Sequence, residues 1–330
     1  MAGIATADFE ALFGGQDREV SRVVRCGGER SDLGKVCCTI GVFDGIHAGH
    51  RRIISDCIAS ARDHGVPSVI VTFDPDPEEL FANGHSRKLM SNQDRIAALA
   101  RSGADVVVAR RFDGEFSHMQ PVDFIHELLG EMDPVEIFVG RDFRFGYGAM
   151  GDVGLLEREL GGPGCKVEGE ELLCEGGEPV TATRIRDLIQ DGSIEEANSL
   201  LGRPFHMVGT VARGRQVGRQ LGYPTANLAP VCDYVHICGG VYTGYVLVHG
   251  SWYKASISVG VPKTFGDLPP TIEAHLVDFD EDIYDEEVVV CFTRYLRPMM
   301  RFDSTDELVE AISWYTRSAA EQPPEPSLRF

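Results

Sequence analysis

The sequence predicts two domains of different class: an α/β doubly wound domain in the first half, and an antiparallel β-barrel with a terminal helix in the second half. Three observations support this prediction. The first half alternates apolar, β-branched runs with amphipathic segments, a pattern typical of a parallel sheet covered by helices on both faces. From His206 onward the apolar runs are short and separated by glycines, as in a small antiparallel barrel. The length of 330 residues agrees with about two domains.

Strands and helices alternate through the first 140 residues. Predicted strands cover 36–43, 67–73, 105–109 and 135–140, and predicted helices cover 50–65, 92–104 and 121–132. Ligands of such sheets bind at the carboxyl ends of the strands. The first strand ends in the stretch GVFDGIHAGH, residues 41–50, which is therefore the first candidate for a functional site.

A helical segment over 183–203 separates the two patterns, so we predict domains at 1–186 and 206–330 with a helical linker at 187–205. Five apolar runs in the second domain predict barrel strands: HMVGTVA, GGVYTGYVLV, YKASISVG, TIEAHLVDF and EEVVVCFTRYL. The last helix is predicted over 304–320, with Ser304 as its N-cap and Glu307 completing a capping box.

Composition and charge limit the partners, ligands and location that we expect for this protein. The formal net charge is −20 and the pI is about 4.9, which argues against nucleic acid or an anionic membrane as a partner. The nine cysteines are odd in number and form no C-x-x-C pair, so we expect reduced thiols and neither disulfides nor a zinc site. The chain starts without a secretory signal and has no run of 18 uncharged apolar residues. We therefore expect a cytoplasmic protein, either a monomer or a weak homo-oligomer.

The stretch GVFDGIHAGH combines features of a phosphate site. A strand that ends in a glycine-containing turn before a helix leaves free N–H groups and the positive end of the helix dipole. His47 and His50 lie three residues apart near the first helical turn, so both rings can face that point and donate to a phosphate. Gly41, Gly45 and Gly49 would let a nucleotide approach the backbone closely. The alternative is a strand–helix turn with incidental histidines.

This motif resembles the HxGH signature of the nucleotidylyltransferase superfamily. Its longer form resembles the FMN adenylyltransferase half of the bifunctional riboflavin kinase/FAD synthetase family of bacteria. Three further stretches carry the resemblance: GRDFRFGYGAMGD at 140–152, TATRIR at 181–186 and FDPDP at 73–77. The resemblance covers nearly the whole chain, from about residue 20 to residue 318. It implies a nucleotidylyltransferase-like, Rossmann-type first domain and a riboflavin kinase-like barrel.

The resemblance implies roles for the matching residues of the first domain. His47 and His50 would contact the ATP phosphates and stabilise the transition state at the α-phosphorus, and Asp44 would orient the turn or the nucleotide. Thr183 and Arg186, at the start of a helix, would hold the β- and γ-phosphates. The remaining implied contacts are Gly41, Phe43, Gly45 and Gly49 for the nucleotide, and Asp142, Phe143 and Arg144 for the flavin or nucleotide pocket.

Two residues of the first domain depart from the family pattern. Asp76 stands where the family usually has a histidine, and it adds negative charge near a phosphate-rich site. Ala182 replaces a serine and removes one hydroxyl. We expect weaker substrate binding from these changes before we expect an inactive site.

The barrel half contains a second candidate site, GRQVGRQLGYPTANL at 214–228. Its glycines predict a mobile loop, and its arginines bring cations to that loop; these residues are Gly214, Gly218, Gly222, Arg215 and Arg219. Thr225 and Asn227 are two residues apart, so they share one face of an extended strand. Hard oxygen ligands of this kind suit Mg²⁺ carried by a nucleotide. The alternative is a plain hairpin loop.

This segment resembles the G-R-x-L-G-x-P-T-A-N signature of riboflavin kinase. The resemblance implies Thr225 and Asn227 as metal ligands, and Glu273 as the base toward the ribityl 5′-hydroxyl; the alternative for Glu273 is a solvated strand carboxylate. It further implies nucleotide contacts at Gly214, Gly218 and Arg219, and flavin contacts at Tyr242 and Arg317. The chain departs from the kinase pattern at Pro262, Lys263 and Asp285, which puts flavin affinity in doubt.

The implied function is FAD biosynthesis. ATP with Mg²⁺ would phosphorylate riboflavin to FMN in the barrel, and FMN would be adenylylated to FAD in the first domain with release of pyrophosphate. One alternative is an adenylyltransferase with a weak or inactive kinase half, and another is a non-catalytic flavin-binding or regulatory protein. The aromatic residues that could stack on a flavin are Trp252, Phe302, Trp314 and Tyr315, although the helical pattern predicts Trp314 as a core residue.

Overall fold

A computed structural model describes residues 21–26, 33–81, 87–130, 132–162, 164–214, 217–260 and 271–326. The described residues form two compact units. The α/β unit holds those between 21 and 81 and between 92 and 181. The barrel unit holds residues 87–91 and those from 182 onward.

The α/β unit is built on a six-stranded sheet in the order β1-β4-β3-β2-β5-β6, and every neighbouring pair is parallel. The strands are β1 (Arg22–Cys26), β2 (Lys35–Ile40), β3 (Ser68–Phe73), β4 (Val106–Arg110), β5 (Asp133–Gly140) and β6 (Lys166–Glu170). The central strands β2 and β3 are almost entirely buried, because both faces of the sheet are covered. The predicted doubly wound class is confirmed.

Helices connect these strands. They are α1 (Ala48–His64), α2 (Pro77–Phe81), α3 (Asn92–Leu99), α4 (Gly114–Ser117), α5 (Pro121–Leu129) and α6 (Val153–Leu160). Short 3₁₀ turns lie at Asp44–Ile46 and Tyr147–Ala149, and a two-strand hairpin is formed by β7 (Cys174–Glu175) and β8 (Glu178–Pro179). Helix α1 ends at Gly65, whose φ of 66° is left-handed, as is usual after a helix C-terminus.

The strand order reverses at β2, which lies between β3 and β5. From β2 the chain builds outward through β3 to β4, and it then returns to the other side through β5 to β6. In an open parallel sheet, ligands bind at such a switch point, outside the carboxyl ends of the two strands. The loops that leave β2 and β5 there begin at residues 41 and 141, and both carry predicted site residues.

The barrel unit contains a closed six-stranded antiparallel barrel in the order β10-β13-β12-β11-β14-β9. The strands are β9 (Phe205–Ala212), β10 (Ala226–Pro230), β11 (Gly240–Val248), β12 (Ser251–Gly260), β13 (Thr271–Leu276) and β14 (Glu287–Arg297). The five predicted runs form five of these strands. The sixth, β10, is short and lies in the segment whose glycines and polar residues indicated a phosphate loop.

The helices of this unit are α7 (Ala182–Asp191), α8 (Ile194–Leu201), α9 (Val217–Gln220) and α10 (Thr305–Ala320). Helix α10 has the predicted N-cap, because Ser304 Oγ accepts a hydrogen bond from the Glu307 N–H at 3.2 Å. The Glu307 carboxylate in turn accepts from the Asp303 N–H at 3.2 Å. Trp314 on this helix is 46% exposed, so its predicted place in the core was wrong; its neighbour Tyr315 is the buried aromatic residue.

The division of the chain differs from the predicted bounds in two places. Helices α7 and α8 belong to the barrel unit, and Asn198 of α8 donates to the Phe292 carbonyl of β14 at 2.8 Å. The segment 87–91 also belongs to this unit, since Lys88 bridges to Tyr234. The structural boundary therefore falls near residue 182, and the predicted domain bounds stay a prediction.

Candidate active sites

The turn after β2 brings the predicted histidines to the N-terminus of α1. Phe43 and Gly45 are left-handed, with φ of 59° and 74°, and this geometry turns the chain from the strand into the helix. His47 is the N-cap of α1, and its Nδ1 accepts from the His50 N–H at 3.4 Å. A ring nitrogen that accepts carries no proton, so neutral His47 holds its proton on Nε2.

The two imidazole rings form one stack at this helix terminus. Their centroids are 3.6 Å apart with an interplanar angle of 20°, and the Phe43 ring meets the His50 ring edge-on at 5.3 Å. His50 Nδ1 is buried and has no hydrogen-bond partner among the described residues. Burial lowers the pKa of His50 well below its usual value, and electrostatic interactions with His47, Arg51 and Arg95 lower it further. His50 is therefore a neutral imidazole at pH 7 with an unsatisfied ring nitrogen.

Two glycines of the motif make room for its own rings. A Cβ on Gly41 would lie 3.0 Å from the Phe43 ring, and a Cβ on Gly49 would lie 3.2 Å from His47 Cε1. The predicted close approach of a nucleotide is therefore not the only reason for glycine at these two positions. They also allow the aromatic stack to form.

Arg95 is a candidate site residue that the sequence reasoning missed. It lies on α3, is 1% exposed, and its guanidinium donates to the Val42 carbonyl at 2.5 Å and the Phe73 carbonyl at 2.6 Å. It also donates to Thr72 Oγ1 at 2.6 Å and Asn92 Oδ1 at 3.1 Å. Arg95 thus ties the carboxyl ends of β2 and β3 together beneath the histidine turn. An arginine within the predicted amphipathic helix 92–104 was the signal in the sequence.

The charge of Arg95 is balanced by carboxylates around the same strand ends. Burial lowers the pKa of the guanidinium, and the negative charges of Asp76, Asp44, Asp74 and Glu79 oppose that shift. Arg95 therefore supplies local positive charge in an acidic protein, next to the candidate phosphate site.

Asp76, the departure from the family pattern, caps helix α2. Its Oδ1 accepts from the Glu78 N–H at 2.9 Å, and its own N–H donates to Glu79 Oε1 at 3.0 Å. Its carboxylate is 3% exposed and is the first of the negative charges that act on Arg95. The structure thus gives Asp76 a structural role and a balancing cation. The expected weaker substrate binding stays a prediction.

The loop after β5 presents the predicted flavin or nucleotide residues beside the same switch point. Asp142 and Arg144 are exposed, and Phe143 is half-buried with its ring stacked on Phe145 at 5.5 Å. Phe145 itself belongs to the hydrophobic core. Thr183 and Arg186 lie in the first turns of α7, in the barrel unit, and their role at the ATP phosphates stays a prediction.

The barrel unit groups the three predicted kinase residues. Asn227 on β10 is the cross-strand partner of Glu273 on β13. Thr225, immediately before β10, donates through Oγ1 to Glu273 Oε2 at 3.4 Å. His275 lies two residues after Glu273, on the same face of β13. Its Nδ1 lies 2.8 Å from the Pro224 carbonyl, so His275 holds the residues that precede β10. Hydroxyl, amide and carboxylate oxygens therefore converge on one spot.

Two glycines of the segment 214–228, Gly214 and Gly218, are required by close packing. A Cβ on Gly214 would lie 2.4 Å from Asn227 Nδ2, and a Cβ on Gly218 would lie 2.3 Å from the Tyr223 carbonyl. Gly218 lies in α9 together with Arg219, while the predicted cation Arg215 lies outside the described residues.

A cavity of about 250 Å³ opens beside Thr225. Tyr284 and the acidic residues Asp280, Glu281 and Asp282 line its other side. The Arg213 guanidinium lies over the Tyr284 ring at 4.5 Å, which places an exposed cation immediately before the glycine-containing segment 214–228. Sequence reasoning missed Arg213, although it directly precedes the quoted motif.

Of Pro262, Lys263 and Asp285, which depart from the riboflavin kinase pattern, the structure describes one. The stretch DIYD, residues 282–285, stands where the riboflavin kinase pattern usually shows D-L-Y-G. Asp285 is exposed and left-handed, with a φ of 64°, so the backbone there favours the glycine of that pattern. Pro262 and Lys263 lie outside the described residues.

Tyr242, a predicted flavin contact, is fully buried and its hydroxyl donates to the Cys238 carbonyl at 2.6 Å, so its position gives no support to a flavin contact. Arg317 is exposed on α10.

The fold and the two sites define a nucleotide-dependent transferase with two separate phosphate-handling units. Residues 29–184 match the family model of FAD synthetase, and residues 201–322 match that of riboflavin kinase. The bifunctional riboflavin kinase/FMN adenylyltransferase of Escherichia coli K12 is 34% identical over 278 residues, which cover 83% of this chain and 88% of that protein. The protein of the same description from Listeria monocytogenes is 31% identical, over 85% of this chain and 90% of that one.

The chain belongs to the bifunctional riboflavin kinase/FMN adenylyltransferase family, and it is an enzyme of FMN and FAD biosynthesis. The resemblance seen in the sequence and the predicted enzyme class are confirmed. A crystal structure described as a macrolide-efflux protein from Streptococcus pneumoniae superposes with a TM-score of 0.79 at 28% identity, covering 91% of this chain and 99% of that one. No helix among the described residues is long and apolar enough to cross a membrane.

Proposed function

We propose that the barrel unit phosphorylates riboflavin with ATP to give FMN, and that the α/β unit transfers an adenylyl group from ATP to FMN to give FAD. The observation that carries the second step is the His47–His50 stack at the N-terminus of α1, where His50 Nδ1 is buried without a partner. A buried polar atom in this state costs free energy unless a ligand satisfies it. A phosphate oxygen is the ligand that this helix terminus favours.

In adenylyl transfer, an oxygen of the FMN phosphate attacks the α-phosphorus of ATP, and the bond to the bridging oxygen of the β-phosphate breaks. Pyrophosphate leaves with that oxygen. Because His50 is neutral and His47 holds its proton on Nε2, both rings can donate hydrogen bonds to oxygens whose negative charge grows in the transition state. Arg95 holds the strand ends that position them. No side-chain nucleophile is required.

In riboflavin phosphorylation, the 5′-hydroxyl of the ribityl chain attacks the γ-phosphorus of ATP and ADP leaves. Glu273 accepts the hydroxyl proton, and its hydrogen bond from Thr225 orients the carboxylate. The cavity that Thr225 lines is the proposed place for part of a substrate, next to the residue that donates to this base.

Mg²⁺ is implied by this chemistry, and the residues present fit it. Thr225 Oγ1, Asn227 Oδ1 and the Glu273 carboxylate are the hard oxygen donors that Mg²⁺ prefers. Gly214 leaves the space that the Asn227 amide needs. We propose that Thr225 and Asn227 hold the ion, which neutralises phosphate charge when it is bound.

The test is a chromatographic assay of the purified chain with Mg²⁺ and ATP, fed riboflavin in one reaction and FMN in another. His50→Gln is expected to lower FAD formation from FMN by about 100- to 1,000-fold and to leave FMN formation from riboflavin unchanged. Glu273→Gln is expected to do the reverse. His126→Gln and Glu310→Gln, at exposed positions, are the matched controls.

Other outcomes of this assay would correct the proposal. FAD from FMN without FMN from riboflavin, in the unmodified chain, would select the alternative with a weak kinase half. Flavin binding without either product would select the binding protein. The predicted cytoplasmic location and the monomeric or weakly oligomeric state stay predictions, and mass measurement in solution tests the second.

A further inference from the structure

A cluster of potential metal ligands lies at the end of the α/β unit remote from the histidine stack. Cys37, His64 and Glu136 each offer one ligand atom, and these atoms all lie within 4.8 Å of one another. We propose that they form a binding site for a Zn²⁺-class ion, separate from the nucleotide chemistry. The cysteine spacing predicted no zinc site, because these three residues come from three different elements of the fold.

Strand register assembles the site. Cys37 on β2 is the partner of Glu136 on β5, and Glu136 is the partner of Lys166 on β6. Side chains in one row across parallel strands point to the same face of the sheet. The last turns of α1 cover this face with Ser60 and His64.

The ligand set has the chemistry of a zinc site. Thiolate, imidazole and carboxylate are the protein ligands that Zn²⁺ binds, with bonds of about 2.0–2.3 Å in tetrahedral geometry. Such bonds hold the ligand atoms ~3.3–3.8 Å apart, so the group needs to close by no more than about 1.5 Å. Cys37 and Glu136 are buried and fixed by the sheet, whereas His64 is exposed at the helix end and can move. Three protein ligands leave a fourth position for water.

The groups of the cluster are also linked to one another through Ser60. Ser60 Oγ donates to Glu136 Oε2, and it lies 3.5 Å from Cys37 Sγ and 3.3 Å from His64 Nδ1. Burial acts to raise the pKa of Glu136, but hydrogen bonds from Ser60 and Lys166 outweigh it and lower that pKa. Burial raises the pKa of the Cys37 thiol. Binding of the ion therefore releases one proton from Cys37 to the solvent.

Lys166 competes with the ion. Its Nζ lies 3.1 Å from Glu136 Oε1, and it also pairs with Glu168. The side chain is 66% exposed, so it can swing away and remain paired with Glu168. Removal of this cation is expected to tighten binding of a divalent ion, which a merely structural role for the cluster does not predict.

The site is remote from the adenylyl-transfer site. Helix α1 has 17 residues, so His64 lies roughly 24 Å along its axis from the end that carries His47 and His50. Binding at the cluster can therefore be measured without interference from the Mg²⁺–ATP chemistry.

The experiment adds Co²⁺ to the full chain, after removal of metals, and records thiolate-to-cobalt charge-transfer absorption. One equivalent is expected to bind with such a band, and added Zn²⁺ is expected to abolish it. Cys37→Ser is expected to abolish the band, and His64→Ala, at an exposed position that leaves folding intact, is expected to weaken binding at least tenfold. Lys166→Gln is expected to tighten it several-fold. Cys174→Ser, at an exposed cysteine outside the cluster, is the control.

Absence of a charge-transfer band in the unmodified chain would overturn the proposal. A band that survives Cys37→Ser and His64→Ala would overturn it as well, as would one that Cys174→Ser removes, because the ion would then sit at another thiol.

Discussion

The guanidinium of Arg95 donates to the main-chain oxygen of Val42, the residue that leads into the turn bearing His47 and His50. The same side chain reaches the Phe73 carbonyl at the end of the neighbouring strand. A buried cation that satisfies several acceptors at once resists displacement, since removing it leaves those acceptors without this donor and the nearby carboxylates without its balancing charge. Arg95 therefore braces the backbone that leads into the turn carrying the histidine pair.

Replacement of Arg95 by methionine is expected to lower kcat for FAD formation from FMN by as much as about 100-fold and to leave FMN formation from riboflavin unchanged. Arg95→Lys, which retains the charge but not the fork of donors, is expected to recover part of kcat. KM is expected to change less than kcat, because the loss is in positioning. The two activities are measured on the same preparation.

Arg158→Met, at an exposed arginine of α6, is the control for Arg95. If Arg95→Met keeps full kcat for FAD formation, or if both activities fall together, Arg95 does not position the histidine turn.

Substitution of Gly214 by alanine is expected to impair the kinase step alone. Its Cβ would lie 2.4 Å from Asn227 Nδ2, so the amide must move away from Thr225 and Glu273. Such overpacking costs about 1–3 kcal/mol. If displacement of the amide carries this cost into the transition state, the rate of FMN formation falls by roughly 5- to 150-fold. Gly114→Ala, where a Cβ meets nothing within 4 Å, is the matched control. Equal kinase rates for the two variants would contradict the assignment of Asn227.

The left-handed backbone at Asp285 predicts that glycine there is more stable than alanine, the reverse of the usual order. Because φ is 64°, Asp285→Gly is expected to be more stable than Asp285→Ala by about 1 kcal/mol. Asp280, an exposed position without a left-handed φ, is the control, and there alanine is expected to be at least as stable as glycine. Denaturant midpoints of the four variants measure the difference. If alanine is at least as stable as glycine at both positions, the backbone at 285 is not strained.

Buried histidines predict a loss of stability below pH 6.5. His206 is fully buried, and burial together with the charge of Arg203 lowers its pKa well below its usual value. The unfolded chain takes up a proton near pH 6.5 and the folded chain does not. The free energy of unfolding therefore holds above that pH and falls below it by up to about 1.4 kcal/mol per pH unit. His50 contributes with the same sign.

The measurement is the denaturant midpoint between pH 7.5 and pH 5.5. His206→Asn is expected to flatten the pH dependence, whatever it does to stability at pH 7.5, while His126→Gln at an exposed site is expected to leave it unchanged. A slope that His206→Asn leaves intact would show that this histidine is protonated in the folded chain.

Much of the fold was predictable because its signals lie within short stretches of sequence. Strands β2 and β3 appear as continuous apolar runs, since they are buried on both faces. Strands β1, β6 and β10 were missed. Strand β1 is a short, largely exposed strand at the sheet edge, β6 is polar and half-exposed, and β10 lies in a segment rich in loop-forming residues. Trp314 was misplaced because a helical period indicates which residues share a face, but not which face is covered.

The sequence by itself determined the family, the two classes of domain, the helix N-terminus at His47 and His50, and the candidate oxygens of Thr225, Asn227 and Glu273. These features depend on residue types and spacings over about ten positions. Only the tertiary structure decided that Arg95 lies beneath the histidine turn, that Thr225 donates to Glu273, and that Cys37 and Glu136 share a row with His64 above them. Each of these contacts joins residues remote in the chain, so strand order and register decide them, and a single sequence does not encode those locally.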